Sequence, residues 1–266
     1  MDPDTAAFLA GSDDRLALLT YLTDRSAAPA TISDDLSLPR RSVQRHLSQF
    51  VDRGWATRDD GAYGLTTLGE LVAAEHASYL ETLSRLDEFG QLYRHLPDRE
   101  HAPDPRLLED ADVVVASDAD PQAPMHHYLT AMREFESDRI RMLSPVLSRL
   151  FHDAHADLAI EGAHTELVMT DDLVDRAREL NPVEFDVVVS VDVLDLYRHP
   201  GPIDFGMTLG ENRVLLSAYA DGQLTACVDS TNPDLVTWAG DLFERYREEA
   251  AEMEPTISLP FSLRNR

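Results

Sequence analysis

Residues 31–54 read TISDDLSLPRRSVQRHLSQFVDRG, and this stretch decides the fold of the amino-terminal part. Thr31 is placed to cap a short helix carrying Ile32 and Leu36, and Ser37-Leu38-Pro39 makes a turn. Pro39 suits the start of the next helix because it lacks the amide hydrogen that is orphaned there in any case. Val43, Leu47, Phe50 and Val51 then recur at three- and four-residue spacing, the buried stripe of a helix, and Gly54 ends it as a C-terminal cap. Helix, turn and helix in this order make a helix-turn-helix.

The flanks extend the pattern. Ser12 is an N-cap with Asp13 and Asp14 in the first turn, where the helix dipole favours them. Leu16, Leu19, Tyr21 and Leu22 continue that helix to about Asp24, and 26–30 reads as a loop containing Pro29. Trp55 to Thr66 reads as two short extended runs around an Asp59-Asp60-Gly61 turn. A helix-turn-helix followed by a small hairpin is a winged helix. Thr67 opens one long helix expected to reach Leu96, with Leu68, Leu71, Val72, Tyr79, Leu83, Leu86, Phe89, Tyr93 and Leu96 along one stripe. At ~1.5 Å per residue it spans about 45 Å. The small domain cannot cover that length, so either the second domain or a second subunit must.

Pro97, Pro103 and Pro105 among charges and His mark 97–110 as a linker. Beyond it, β-branched apolar runs at 113–116, 140–143, 167–169 and 187–191 alternate with helical patterns at about 123–136, 145–160 and 171–180, the grammar of an α/β domain. Runs near 205–209, 214–219 and 224–228, with turns at Gly210-Glu211-Asn212 and Asp221-Gly222, read as an antiparallel meander. An amphipathic helix at about 233–252 closes the domain. The organisation expected is a winged helix-turn-helix over 1–66, a connecting or dimerisation helix over 67–96, the linker over 97–110, an α/β effector or regulatory domain with a mixed sheet over 111–254, and a tail over 255–266.

Charge narrows the function. The net charge is −26 over 266 residues, yet before Leu65 seven Arg face ten acids, and five of those Arg lie between 40 and 58. All 23 basic residues are Arg. With no Lys there is no phosphate-loop Lys, Schiff-base Lys or HxK phosphodiesterase motif. Cys227 is the only cysteine, which excludes an intramolecular disulfide and a Cys-based zinc site. Acid excess spread along the chain fits adaptation to a cytoplasm of molar salt, where the screening length is only about 3 Å. No apolar stretch reaches the ~18 residues of a membrane span, and MDPDTAAF lacks the basic start of a secretory signal, so a cytoplasmic protein is expected.

A recognition helix puts its first turns in the major groove. Positions facing away from Val43 and Leu47 include Arg40, Arg41, Ser42, Gln44 and Arg45. Arg pairs twice with guanine and Gln twice with adenine. Ser42 suits a phosphate or a water-mediated contact, Arg53 the DNA backbone, and Arg58 and Tyr63 the groove or phosphates beside the wing. The alternative is a protein-docking winged helix whose Arg side chains pair with Asp34, Asp35 or Asp52, and the acidic wing tip fits that reading. Because counterion-release binding weakens steeply with salt, a reader in molar salt needs base contacts and a dimer.

Other chemistry is sparse. His152 and His155 lie at i, i+3 with Asp153 and His164 nearby, but no second motif supports a metal. Asp192 and Asp195 can be read as paired carboxylates or as acidic surface. There is no GxSxG, glycine-rich phosphate loop or HExxH. No enzyme, metal or cofactor is expected. Ligands of α/β sheets sit beyond the carboxyl ends of strands, here Ser117, Ser144, Thr170 and Asp192.

The stretch LSLPRRSVQRHLSQFVDRGWATR resembles the helix-turn-helix of archaeal winged-helix transcriptional regulators, with Leu36, Val43, Leu47 and Gly54 in the expected places and a departure at Pro39, where Ser or Thr is commoner. RIRMLSPVLSRLF and DFGMTLGENRVLLSAYADGQLTACVDSTNPDLVTWAGDLFERYRE resemble the effector (middle) domain of methanogenesis- and filament-regulator-type proteins, which are abundant in halophilic archaea. The resemblance implies a fold related to phospholipase-D-like domains. Without Lys the catalytic motif of that class is missing, which implies sensing rather than hydrolysis. The expectation is a homodimeric regulator of double-stranded DNA with a small-molecule effector or a partner at its second domain. The alternative is an interaction scaffold.

Overall fold

The computed structural model describes residues 3–96, 98–160, 162–190 and 193–253. The chain divides into two compact units, 1–83 and 84–266.

In the first unit α1 (Pro3–Ala10), α2 (Asp13–Tyr21), α3 (Pro29–Asp35) and α4 (Arg40–Asp52) precede a hairpin of β1 (Ala56–Asp59) and β2 (Ala62–Leu65). Ser12 caps α2 through the Arg15 amide at 3.4 Å. Helix α3 begins at Pro29, not at Thr31 as expected, since a proline in the first turn loses no hydrogen bond. Ser37 holds the turn before α4 at φ +55°, and the Ser33 hydroxyl donates to the Leu38 carbonyl at 2.7 Å. Leu18, Ile32, Val43, Leu47 and Phe50 are fully buried together, with Trp55 beside them. Asp60 and Gly61, both at positive φ, make the tight wing turn.

Helix α5 (Thr67–Glu88) starts on the root of the wing. The Thr66 hydroxyl donates to the Gly54 carbonyl at 2.6 Å and accepts from the Gly69 amide at 3.1 Å. The single helix expected to Leu96 is two: α5 ends at Glu88, Phe89 leaves helical geometry at φ −91°, ψ +16°, and α6 (Gly90–His95) follows. Phe89 and Leu92 are buried in the core of the second unit, which fixes where the chain turns. At ~1.5 Å per residue α5 is about 33 Å long.

The second unit is one mixed eight-stranded sheet with helices on both faces. Its strands are β3 (Asp112–Val115), β4 (Arg139–Leu143), β5 (His164–Thr170), β6 (Leu194–His199), β7 (Phe205–Leu209), β8 (Val214–Ala220), β9 (Gln223–Ser230) and β10 (Ala251–Glu252), in the order β10-β6-β5-β4-β7-β8-β9-β3. Strands β4, β5 and β6 are parallel, and β4 meets β7 antiparallel at the start of the meander. Period-two alternation splits the side chains by face. Leu143, Val168, Met207, Leu209 and Leu216 pack on α6 and on α11 (Pro233–Glu249). Ile140, Leu215 and Cys227, on the other face, pack on α7 (Ala123–Arg133) and α8 (Arg149–Ile160). Arg213 holds Asp229 with two hydrogen bonds of 2.8 and 2.6 Å across β8 and β9.

One strand assignment is corrected. Residues 187–190, read as extended, belong to α10 (Pro182–Ser190), which follows α9 (Asp171–Leu180). The strand is instead the more polar LDLYRH of β6, which is ordered by six register pairs with β5. The final helix stops at Glu249, and Ala251–Glu252 adds an antiparallel edge to β6. The tail expected over 255–266 lies outside the described residues.

Candidate nucleic-acid interface and effector cavity

Helix α4 is strongly two-faced. Val43, His46, Leu47 and Phe50 are buried, while Arg40, Arg41, Gln44 and Arg45 are exposed and Ser42 is half-buried at its amino-terminal end. Among the described residues Arg40, Arg41, Arg45 and Arg58 make no ion pair with a carboxylate. Asp35, one partner the docking alternative needs, accepts instead from the Tyr21 hydroxyl at 2.6 Å. Arg45 reaches only the neighbouring His46 ring, at 3.3 Å, and His46 is anchored by Gln49 at 3.2 Å. Desolvation holds the His46 imidazole below its ordinary pKa, so the ring adds no charge to this face near neutrality.

Two of the expected contacts stand apart. The Arg53 guanidinium lies 4.0 Å from the Phe8 ring centre and 5.5 Å from that of Trp55, so it is engaged in packing the first unit rather than extended toward a DNA backbone. Arg58 is exposed on β1 and lies 5.7 Å from the ring centre of Tyr63, its cross-strand partner on β2. Helix α1 supplies Phe8, which the sequence reading missed. PDTAAFLA is short and carries no periodic stripe to announce it.

The effector positions divide. Ser144 and Thr170 follow or end the neighbouring parallel strands β4 and β5. The Ser144 hydroxyl donates to the Val146 carbonyl at 2.9 Å, and Thr170 caps α9. Ser117 is not with them. It follows β3, the far edge strand, four strand spacings or about 19 Å from β4. Asp192 lies outside the described residues, and β6 runs on to His199, which takes the carboxyl-end position assigned to Asp192. His199 is buried and accepts from the Gly201 amide at 3.1 Å.

A cavity of about 380 Å³ opens between α8, α9, α10 and the face of β4–β6 that bears Met142, Leu167 and Leu196. It separates two cores on the same side of the sheet, one under α7 and α8 and the other under α9 and α10. His155 of α8 lines it. The Nε2 of this ring lies 3.0 Å from the Tyr128 hydroxyl, whereas Nδ1 is buried without a hydrogen-bond partner among the described residues. Burial pushes the His155 pKa down to about 4. No group of three or more His, Cys, Asp or Glu among the described residues is arranged to hold a metal, and no described helix is long and apolar enough to cross a membrane.

Residues 121–249 match the family described as the methanogenesis regulatory protein FilR1, middle domain, and residues 3–88 match the HVO_A0261 N-terminal domain. No curated protein matches the chain. Similar solved structures include TrmBL2, described as an archaeal chromatin protein with a novel mode of DNA binding, at 13% identity over 95% of this chain and 100% of that one with a TM-score of 0.43. NucT from Helicobacter pylori is 7% identical over 54% of this chain and 99% of its own, with a TM-score of 0.41. Wild-type ZitR from Lactococcus lactis is 19% identical over 46% and 73%, with a TM-score of 0.26.

Proposed function

We propose that this protein is a transcriptional regulator whose amino-terminal winged helix reads a partly palindromic site in double-stranded DNA as a homodimer and which is modulated at its second unit; the match of residues 121–249 to the FilR1 middle domain and of residues 3–88 to the HVO_A0261 N-terminal domain supports the reading. The observation that carries the reading is the amino-terminal half of α4. Arg40, Arg41, Gln44 and Arg45 project from it without carboxylate partners among the described residues, in a chain of net charge −26. Guanidiniums exposed at the start of the helix that enters the major groove are placed to meet phosphates and base edges.

The dimer is part of the same proposal. Leu71 and Tyr79 of α5 are 60% and 57% exposed, and Leu68, Leu80, Leu83 and Leu86 are exposed with them. A second copy of α5 is the partner we assign to that stripe, since a two-fold contact pairs the same patch with itself and sets two reading heads on two half-sites. The protein acts in the cytoplasm and is not an enzyme. Any kinship of its second unit with phospholipase-D-like domains comes without Lys, so it senses rather than hydrolyses.

The test is a mobility shift on the DNA upstream of its own gene in molar KCl. Changing Arg40, Arg41 and Arg45 together to Ala abolishes the shift while the protein stays folded. An unchanged shift in the triple variant overturns the reading. The exposed Asp59 and Asp60 at the wing tip favour a second reading, a protein-docking module. Pull-downs that survive the triple change would select it.

A further inference from the structure

The cavity of the second unit has no charged side chain among its described lining residues, although 27% of the chain is charged. Its wall is aliphatic and aromatic, and among the described lining residues Ser144, Ser148, His152, His155 and Thr165 bring the polar side-chain groups. Among the described lining residues an anionic ligand would find no Arg, and a cationic one no carboxylate. The volume of about 380 Å³ falls at the lower end of the ~300–1,000 Å³ typical of small-molecule sites. It is also well above the ~150 Å³ of an apolar void that stays dry when empty. At the lip Ile160 is 84% exposed and Leu147 is exposed as well, so the route in is apolar too.

One polar feature is left unmet. Tyr128 bridges His155 Nε2 at 3.0 Å and the Thr208 hydroxyl at 2.9 Å, which fixes the ring against α7 and β7. Nδ1 on the other side of the ring is buried with no hydrogen-bond partner among the described residues. Buried polar groups are normally paired. A ligand that brings one hydrogen-bonding group, reaching the ring as the side chains over it shift, supplies what this nitrogen lacks.

We propose that the cavity binds an uncharged molecule with a hydrocarbon body and a single hydroxyl or carbonyl, the polar end meeting His155. As a binding site the cavity stands on its own geometry. As the sensing site it rests on the regulator reading above, so binding and DNA affinity are measured separately.

The probe is N-phenyl-1-naphthylamine, an uncharged apolar fluorophore, titrated into the full chain in molar KCl at pH 7. Saturable one-to-one binding is expected, displaced by 1-decanol and at least tenfold less well by decanoate. Ala156→Trp, which fills the cavity from α8, removes binding. Ala177→Trp does the same from α9, so misfolding of one variant leaves the other to decide. His155→Phe keeps the probe but loses roughly tenfold in affinity for decanol, the scale of one hydrogen bond. Absence of saturable binding to the unaltered protein overturns the proposal, as does undiminished binding in two folded Trp variants or decanoate binding as well as decanol. If decanol binds but leaves the mobility shift unchanged, the site stands and its role as the sensor falls. If no shift is seen at all, the regulator reading fails while the binding data remain.

Discussion

The Tyr128 hydroxyl and His155 Nε2 lie 3.0 Å apart and join α7 to α8 beneath the sheet. Which of the two donates follows from the tautomer; a tyrosine that donates needs a neutral ring, and burial disfavours the charged one in either case. Burial holds the folded pKa near 4, against about 6.5 for the unfolded imidazole. Between those values the unfolded chain binds the extra proton, so stability rises with pH across the window and is lost as pH falls from about 6.5 to 4. The loss is about 3 kcal/mol, an order-of-magnitude figure. Denaturant unfolding at pH 7 and pH 4.5 should show a smaller pH-dependent drop for His155→Gln than for the unaltered protein. Equal drops would show that another group governs acid sensitivity.

Cys227 is fully buried on β9, and burial raises its thiol pKa to about 12. A protonated, enclosed thiol neither attacks disulfides nor ligates metal. Labelling by an aromatic disulfide reagent at pH 8 should wait on unfolding and then reach one thiol per chain. Rapid labelling of the native protein would contradict the packing of β8 and β9.

Gly69 allows α5 to begin against the wing root. A Cβ built there would stand 2.0 Å from the Trp55 carbonyl oxygen, a backbone atom that cannot swing aside. Gly69→Ala should therefore cost about 1–3 kcal/mol. Gly90→Ala at the start of α6 meets nothing within 4 Å and should be neutral or slightly stabilising. The two denaturation midpoints, measured in the same salt, test the contrast.

The exposed stripe of α5 can be interrupted without touching a core. Leu71→Glu with Leu83→Glu should leave secondary structure unchanged, because both residues are exposed. It should convert the protein to a monomer in sedimentation and weaken DNA binding at least tenfold. A dimer that survives both changes would place the interface elsewhere.

Arg58 on the wing tests how the reader copes with salt. Its loss should weaken binding about equally across sequences and lower the slope of log affinity against log salt by about 1. Gln44→Ala should instead relax the preference at one base position and leave the slope unchanged. The two effects separate phosphate contact from base reading in competition experiments with altered sites.

Much of the first unit was legible because its signals are local. Pro39 starts α4, Gly54 at φ +72° ends it, and Asp60-Gly61 turns the wing, each through a backbone preference the residue carries anywhere. Arg53 shows where that legibility stops. Its place in the sequence suits a phosphate, yet it rests on Phe8 of a helix with no periodic signature. In the second unit the error fell on Val187 to Ser190, where β-branched residues form a helix whose Val187 is exposed. Short apolar runs do not distinguish the two states by composition.

Sequence by itself determined the winged helix, the basic face of α4, the alternation of strands and helices, and the absence of any Lys-based chemistry, intramolecular disulfide or Cys-based zinc site. Tertiary structure alone decided the strand order β10-β6-β5-β4-β7-β8-β9-β3, the break at Phe89, the separation of Ser117 from Ser144, and the cavity beside His155. The reason is range. Caps, turns and periodicity act over a few residues, whereas strand neighbours and the space left between two cores depend on residues tens of positions apart in the chain.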